Sequence, residues 1–381
     1  MSNTLTSFIP TLQMAMDEVS RELVGFIPSV ARNSAAERAA LNESIIVPIS
    51  TALSAGNTSP AMSVPEPSDF APDHTEVKIT KSRNVSFGLN GEEYRGLDNG
   101  LGAAYFIGEN FKQAVRTLCN EIEADISAEA AASASRAYGT AGTTPFGSSL
   151  ADAAQLRKIL DDNGAPLTDR SLIIDTTAGV SLRSLAQLTK ANEAGSIMTL
   201  RQGELLDIFG FSVKESAAIV TPTAGTANTL VVKAADKGAT EIEVASVTSG
   251  ALKVGDVITF AGDSNKYIVA AIPASLLADA KFKIAAPGLL KAVSASTAVT
   301  VVGAAARNVG FTRNAIQLVT RAPALPGGED AAVDSTMLTD ARSGLSFEVR
   351  VYKGYRKMRA EVAMAWGVKT IKPEHVATLL G

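Results

Sequence analysis

With 381 residues, 46% of them apolar, the chain can bury a sizeable core and divide into more than one folded unit. Its 35 Lys and Arg against 39 Asp and Glu leave a net charge of -4, a weakly acidic field that argues against a dedicated nucleic-acid binder. A single cysteine cannot close an intrachain disulfide, no apolar run approaches the roughly 20 residues of a bilayer span, and 5% aromatics favour a scaffold over an aromatic-lined pocket.

From Leu5 to Ile27 the residues Leu12, Met16, Val19 and Leu23 recur at spacings of four, three and four, which predicts a helix ended by Pro28. Acidic residues interrupt its apolar ones, so it does not have the pattern of a secretion signal. With the Ala-rich stretch Ala31 to Leu41 it makes an N-arm, which cannot bury its stripe alone and lies on a neighbouring element or subunit. Ile45, Val47 and Ile49 alternate as a strand. A second strand, Glu76 to Phe87, runs through Val77, Ile79, Val85 and Phe87. Pro60, Pro65, Pro67 and Pro72 break any ladder between them, so the pair reads as a long hairpin with a projecting tip that needs something to rest on.

Gly102 to Tyr138 predicts the longest helix, with Ile107, Phe111, Val115, Leu118, Ile122 and Ile126 on one stripe and Gly139 as its stop. At 1.5 Å per residue it spans about 55 Å, a spine lying against a sheet. A mixed α/β block follows: helix at Leu150 to Leu160, strand at Ser171 to Ile174, helix at Gly179 to Asn192, a segment from Leu200 to Phe209 ending at Gly210, and a strand opening at Phe211-Ser212-Val213. The pattern changes at Val220. Short runs at Leu230 to Lys233, Thr240 to Val247, Asp256 to Phe260, Lys266 to Ala271, Lys281 to Ile284 and Ala298 to Val302 predict a compact all-β barrel or sandwich inserted into the host fold. The α/β pattern resumes at Ala315 to Val319. A hairpin of Phe347 to Tyr352 and Met358 to Val362 turns at Lys353-Gly354, and Trp366, Val368 and Ile371 finish the chain.

Catalytic, cofactor and metal residues are not found. His74 and His375 have no Cys or carboxylate at ligand spacing. Gly100-Leu101-Gly102 lacks the third glycine and the Lys-Ser/Thr of a phosphate loop, and reads as a helix-start turn. Asp161-Asp162-Asn163-Gly164 meets Ala165 and Leu167 where a calcium loop needs oxygen ligands, and reads as a helix-ending turn. Cys119 is a small buried hydrophobe on the spine. Arg350, Lys353, Arg356, Lys357 and Arg359 form the one basic cluster, open to DNA contact but read first as an intersubunit or solvated hairpin that pairs with acidic neighbours. No Asn and Glu can be matched to Lys78 or Lys81, so no covalent crosslink is predicted.

The order of N-arm, extended hairpin, spine helix, mixed domain and returning hairpin resembles the tailed double-stranded-DNA phage major capsid (coat) proteins of the Johnson fold. It is nearest to lambdoid podovirus-type coats with an inserted β-barrel. The likeness rests on Leu200-Arg201-Gln202-Gly203 leading to Phe209 through Val213, on Leu252 through Gly262 in the insertion, on Asn314 through Val319 with Pro323 through Pro326, and on Trp366-Gly367-Val368 with Lys372-Pro373-Glu374. It implies an α+β fold: N-arm 1–44, extended hairpin loop 45–95, spine helix 96–145, axial domain 146–219 and 309–329, inserted barrel 220–308, and peripheral hairpin with C-terminal strand 330–381. It further implies a shell subunit with no enzyme activity and no cofactor, assembling through pentamers and hexamers into an icosahedral virion capsid in the host cytoplasm. The partners it implies are further copies of the chain, a separate scaffolding protein, a portal protein, a decoration protein and packaged double-stranded DNA in weak non-specific contact, with no membrane. The assembly contacts expected are Pro60, Pro65, Pro67 and Phe70 on the hairpin, Leu12, Met16 and Leu23 on the N-arm, and Arg350, Lys353 and Arg356 on the returning hairpin. Two alternatives are an encapsulin-like nanocompartment shell, and a hydrolase with an appended β-domain, which needs converging polar groups.

Overall fold

The computed structural model describes residues 24–49, 55, 58, 60, 62, 73–98, 103–189, 207–327, 330–339 and 344–381. The predicted N-arm helix lies outside these residues except for its end, which is not helical. The amides of Ser29 and Val30 both donate to the Phe26 carbonyl, at 2.8 and 3.1 Å, closing a tight turn. Phe26, Ile27 and Val30 around this turn are all buried.

The Ala-rich stretch is strand β1 (Ala31–Ala39). β2 (Ser44–Ile49) and β3 (Asp73–Lys78) form a two-stranded antiparallel ribbon from Ser44 opposite Lys78 to Ile49 opposite Asp73. The single strand expected from Glu76 to Phe87 divides at Ile79-Thr80, because those amides leave the ladder for the carbonyls of Glu43 and Trp366. β4 (Lys81–Asn90) then leads into α1 (Gly91–Asp98), whose start is a capping box between Asn90 and Glu93, at 2.8 and 2.9 Å. The spine, α2 (Ala103–Ser133), has 31 residues, about 46 Å at 1.5 Å per residue. It stops short of Tyr138 because the Ser135 amide donates to the Val376 carbonyl and the chain runs on as β5 (Arg136–Tyr138).

Next come α3 (Ala151–Asp162), β6 (Arg170–Ile174), α4 (Thr176–Ser184), α5 (Ala186–Thr189) and β7 (Ser212–Glu215). α4 begins before the predicted Gly179 because Asp175 caps it, accepting from the amides of Thr177 and Ala178. Six short strands follow, β8 (Leu230–Val232), β9 (Glu241–Ser246), β10 (Val257–Phe260), β11 (Lys266–Ala271), β12 (Lys281–Ile284) and β13 (Thr297–Val301). The chain ends with β14 (Arg307–Thr312), β15 (Ile316–Pro323), β16 (Ala332–Thr339), β17 (Ser346–Gly354), β18 (Lys357–Thr370) and β19 (Val376–Leu380).

Three bodies of structure result. The first is a six-stranded sheet in the order β1-β15-β18-β17-β16, with β4 on the other side of β18. α2 lies along it, and the main core between them includes Ile107, Phe111, Leu118, Ile122, Val362, Met364 and Trp366. The second groups β5, β19, β14, β6 and β7 with α3 and α4, around Leu156, Leu160, Leu172, Ile174 and Leu182. The third is a closed antiparallel ring, β10-β13-β8-β9-β12-β11 and back to β10, filled by Leu230, Ile242, Val244, Phe260, Tyr267, Phe282 and Val299. The ring leaves after β7 and returns at β14, two strands that both flank β6. It is not free of its host: β11 also pairs with β5 through Lys266 and Tyr267.

The returning hairpin is longer than expected and turns elsewhere. Gly354 stays in the ladder opposite Lys357, and the turn is Tyr355-Arg356, with Arg356 at φ 53°. The register is set by the buried cross-strand partners Val349 and Val362, and these override the glycine as a turn signal.

Candidate assembly surfaces

The apolar stripe of α2 faces the sheet, and its acidic residues hold separate elements onto it. Asp125 accepts from Lys81 Nζ at 2.8 Å and from Trp366 Nε1 at 2.9 Å, joining β4 and β18 to the helix. Glu121 adds Arg83 at 3.3 Å, and Glu129 accepts from the Thr370 amide at 3.0 Å. Trp366 has no exposed surface, so Asp125 satisfies the one polar atom of a fully buried indole.

Glu123 clasps the segment entering β1. Its carboxylate accepts from three successive amides, Gly25 and Phe26 at 2.7 Å and Ile27 at 3.0 Å, and from the Ser216 hydroxyl at 2.8 Å. Burial pushes the Glu123 carboxyl above the ordinary glutamate range, and the hydrogen bonds from Phe26, Ile27, Ser216 and Gly25 oppose that shift. A side chain on Gly25 would press on Ile173 and the Glu215 carbonyl within 3 Å, so only glycine lets the turn approach this closely. Phe26 then stacks on Phe311, with ring centroids 6.0 Å apart. The residues at the centre of this clasp carry no sequence signature. Glu123 follows Ile122 on the stripe, and that adjacency is the only hint that its side chain is buried.

Among the described residues the β2–β3 ribbon has no third strand, and Ile46 on it is 63% exposed. Its base is pinned where β18 passes beneath: a side chain at Gly367 would collide with the Lys78 carbonyl, and Lys369 donates to Thr75 and to the Glu76 carbonyl. Of the expected contacts, Pro60 is exposed, while Pro65, Pro67, Phe70, Leu12, Met16 and Leu23 lie outside the described residues.

The basic cluster of the returning hairpin separates into inner and outer members. Arg350 is buried, 2.9 Å from Asp330 and 3.9 Å from Glu348, and Glu348 also takes Arg38 at 2.6 Å. Arg350 is therefore not a surface residue of this chain. The Ala332 amide, Tyr352 hydroxyl and Arg350 together hold the Asp330 carboxyl below the usual aspartate range. Arg359 meets Glu361 at 3.2 Å, while Lys353, Arg356 and Lys357 point to solvent.

His74 is exposed on β3 and His375 is half-buried in a single turn after Pro373; burial lowers the His375 imidazole below its ordinary value. The two are not brought together. Asp161-Asp162-Asn163-Gly164 ends α3, with Gly164 at φ 74° and Asn163 bridging Arg136, Ser135 and the Glu374 carbonyl. Cys119 is buried on α2. Gly100-Leu101-Gly102 and Leu200 through Gly203 lie outside the described residues. Among the described residues no group of three His, Cys, Asp or Glu side chains could hold a metal, and no helix is long and apolar enough to cross a membrane.

No protein-family model and no curated protein matches the sequence. Solved structures do resemble it over most of its length. The capsid of cyanophage P-SCSP1u is 14% identical, covering 92% of this chain and 86% of that one, with a TM-score of 0.47. The mature capsid of bacteriophage PhiM1 is 11% identical, covering 93% and 86%, with a TM-score of 0.45. A virus-like particle from Pyrococcus furiosus is 9% identical, covering 97% and 98%, with a TM-score of 0.43.

Proposed function

We propose that the chain is a structural shell subunit, a class defined by surfaces that are completed only by further copies. The observation that carries this is the β2–β3 ribbon. Among the described residues the two strands pair with no third, an arrangement marginal by itself in water, and Ile46 on the ribbon is left exposed, which suits a surface completed by another molecule. The rest of the fold suits that role: a rigid spine, a sheet pinned to it through Glu121, Asp125 and Glu129, and the segment entering β1 clasped by Glu123.

More particularly, the chain is the major capsid protein of a tailed double-stranded-DNA virus, of the Johnson fold. The ring at β8–β13 is its inserted domain, β2–β3 the extended loop and α2 the spine. Copies close into pentamers and hexamers and then into an icosahedral shell built around a separate scaffolding protein in the host cytoplasm, with a portal and a decoration protein as further partners. Contact with the packaged DNA is weak, which suits the acidic net charge of -4 and the internal pairing of Arg350. Lys353 and Arg356 are the members of the basic cluster left to meet neighbours. A nanocompartment shell is the alternative, and it would differ in its contents.

Negative-stain microscopy of the purified chain, alone and with the scaffolding candidate, tests the proposal. Uniform rings or closed shells are expected; a stable monomer at high concentration in both samples overturns it. Nuclease-protected DNA, as against an enclosed protein, then separates virion from nanocompartment.

A further inference from the structure

Exposed aromatic side chains gather at one end of the molecule. Tyr355 at the β17–β18 turn is 88% exposed, Tyr94 on α1 45%, and Tyr105 and Phe106 at the start of α2 58% and 38%. These sites adjoin because Asn90, which caps α1, pairs with Lys357 beside the turn, and α1 packs on α2. Next to Tyr355 lies a cavity of about 650 Å³ lined by Leu89, Tyr94, Met358 and the main chain at Asn90-Gly91. Its lining also carries Glu92, Arg356 and Lys357. None of these three charged residues makes an ion pair among the described residues.

The turn that presents Tyr355 is held against its backbone preference. Arg356 occupies the left-handed region, at φ 53°, where glycine or asparagine is the ordinary choice, and Gly354 one place away is not used for it. A strained turn that carries a tyrosine into solvent, beside an apolar hollow, is a projection and a socket on one surface.

We infer that this end docks onto the same end of a second copy, the Tyr355 ring of one seating in the Leu89–Tyr94–Met358 hollow of the other, with Arg356 meeting the second copy's Glu92. The second copy is favoured because the socket's lining carries both charge signs, Glu92 with Arg356 and Lys357, so two copies of this surface can pair unlike charges across it. Tyr355 fits the hollow as a rigid aromatic anchor with a ring of charged residues around it. The inference rests on the shell-subunit reading and names one contact within it.

Two experiments decide it. Charge reversal comes first: Glu92→Arg alone and Arg356→Glu alone should each lower the yield of assembled particles at least tenfold, and the two combined in one chain should restore it. Wild-type yield from both single variants would overturn the inference. The second mixes a Tyr355→Cys chain with a Tyr94→Cys chain under oxidation, and a disulfide-linked pair of unlike chains is expected. Shells without that crosslink sink this contact and leave the shell reading standing. The crosslink without shells does the reverse, and neither result discards both. Tyr355 is nearly all in solvent, so its replacement leaves folding intact.

Discussion

The ring of β8–β13 and the ribbon of β2–β3 are built from the same kind of sequence, short alternating strands between turn residues, yet they have opposite dependence on their surroundings. The ring returns to its first strand, so each strand has at least two neighbours and its inward side chains form a core of their own, while Val257 and Ile268 on its outer side join the main core. Among the described residues the ribbon's two strands pair with no third strand, and Ile45, Val47 and Val77 join a small core with Ile79. Closure, more than composition, decides which piece fills a core of its own and which waits for a partner.

The largest expected effect that would sharpen this contrast is in the ring. Phe282 is fully buried there, and Phe282→Ala should cost about 4 kcal/mol, lost from residues 228–301 ahead of the spine and its sheet. Hydrogen exchange by segment checks this, and uniform loss across the chain would show that ring and host melt as one. Glu123→Ala comes next, at about 3 kcal/mol, because three amides at Gly25–Ile27 lose their acceptor inside the protein. Chemical denaturation gives the size, and new tryptic cleavage at Arg32 gives the place.

Asp330 supplies a pH test of the opposite edge of the sheet. Its folded-state pKa is depressed, so its contribution is present above the ordinary aspartate pKa and is lost as pH falls through the depressed value. The stability difference between wild type and Asp330→Asn should therefore hold at neutral pH and vanish in strong acid, read from denaturation midpoints across pH. The smallest effect on folding belongs to the ribbon. Ile46→Ser should change the stability of the free chain by less than about 0.5 kcal/mol while lowering shell yield, and a large loss of stability in the monomer would show that the ribbon is already supported.

These two regions also show what the sequence made legible. The ring's six strands are readable within about one residue because each has an alternating pattern and a turn on either side. β14 and β19 have no counterpart among the predicted elements, and β15 is predicted only as far as Val319, because nearly every residue in them is buried: RNVGFT, IQLVTRAP and VATLL are covered on both faces. β16 escaped for the opposite reason, as an edge strand with few large apolar residues. Glu121, Asp125 and Glu129 look like the solvated face of a helix, and only the packed structure shows what they hold. The basic cluster was legible as a cluster, but the inward turn of Arg350 depends on the register with β16 and on Asp330 preceding it.

The ring also has a consequence for splicing. The chain departs for it at Val220 and is back at Arg307, and the Arg307 amide donates to the Val220 carbonyl at 3.1 Å. Both cut ends therefore sit one backbone hydrogen bond apart, about 5 Å between α-carbons. Any foreign domain whose termini lie that close could be grafted through the same port without moving β6, β7 or β14, turning a repeated subunit into a regularly spaced display lattice.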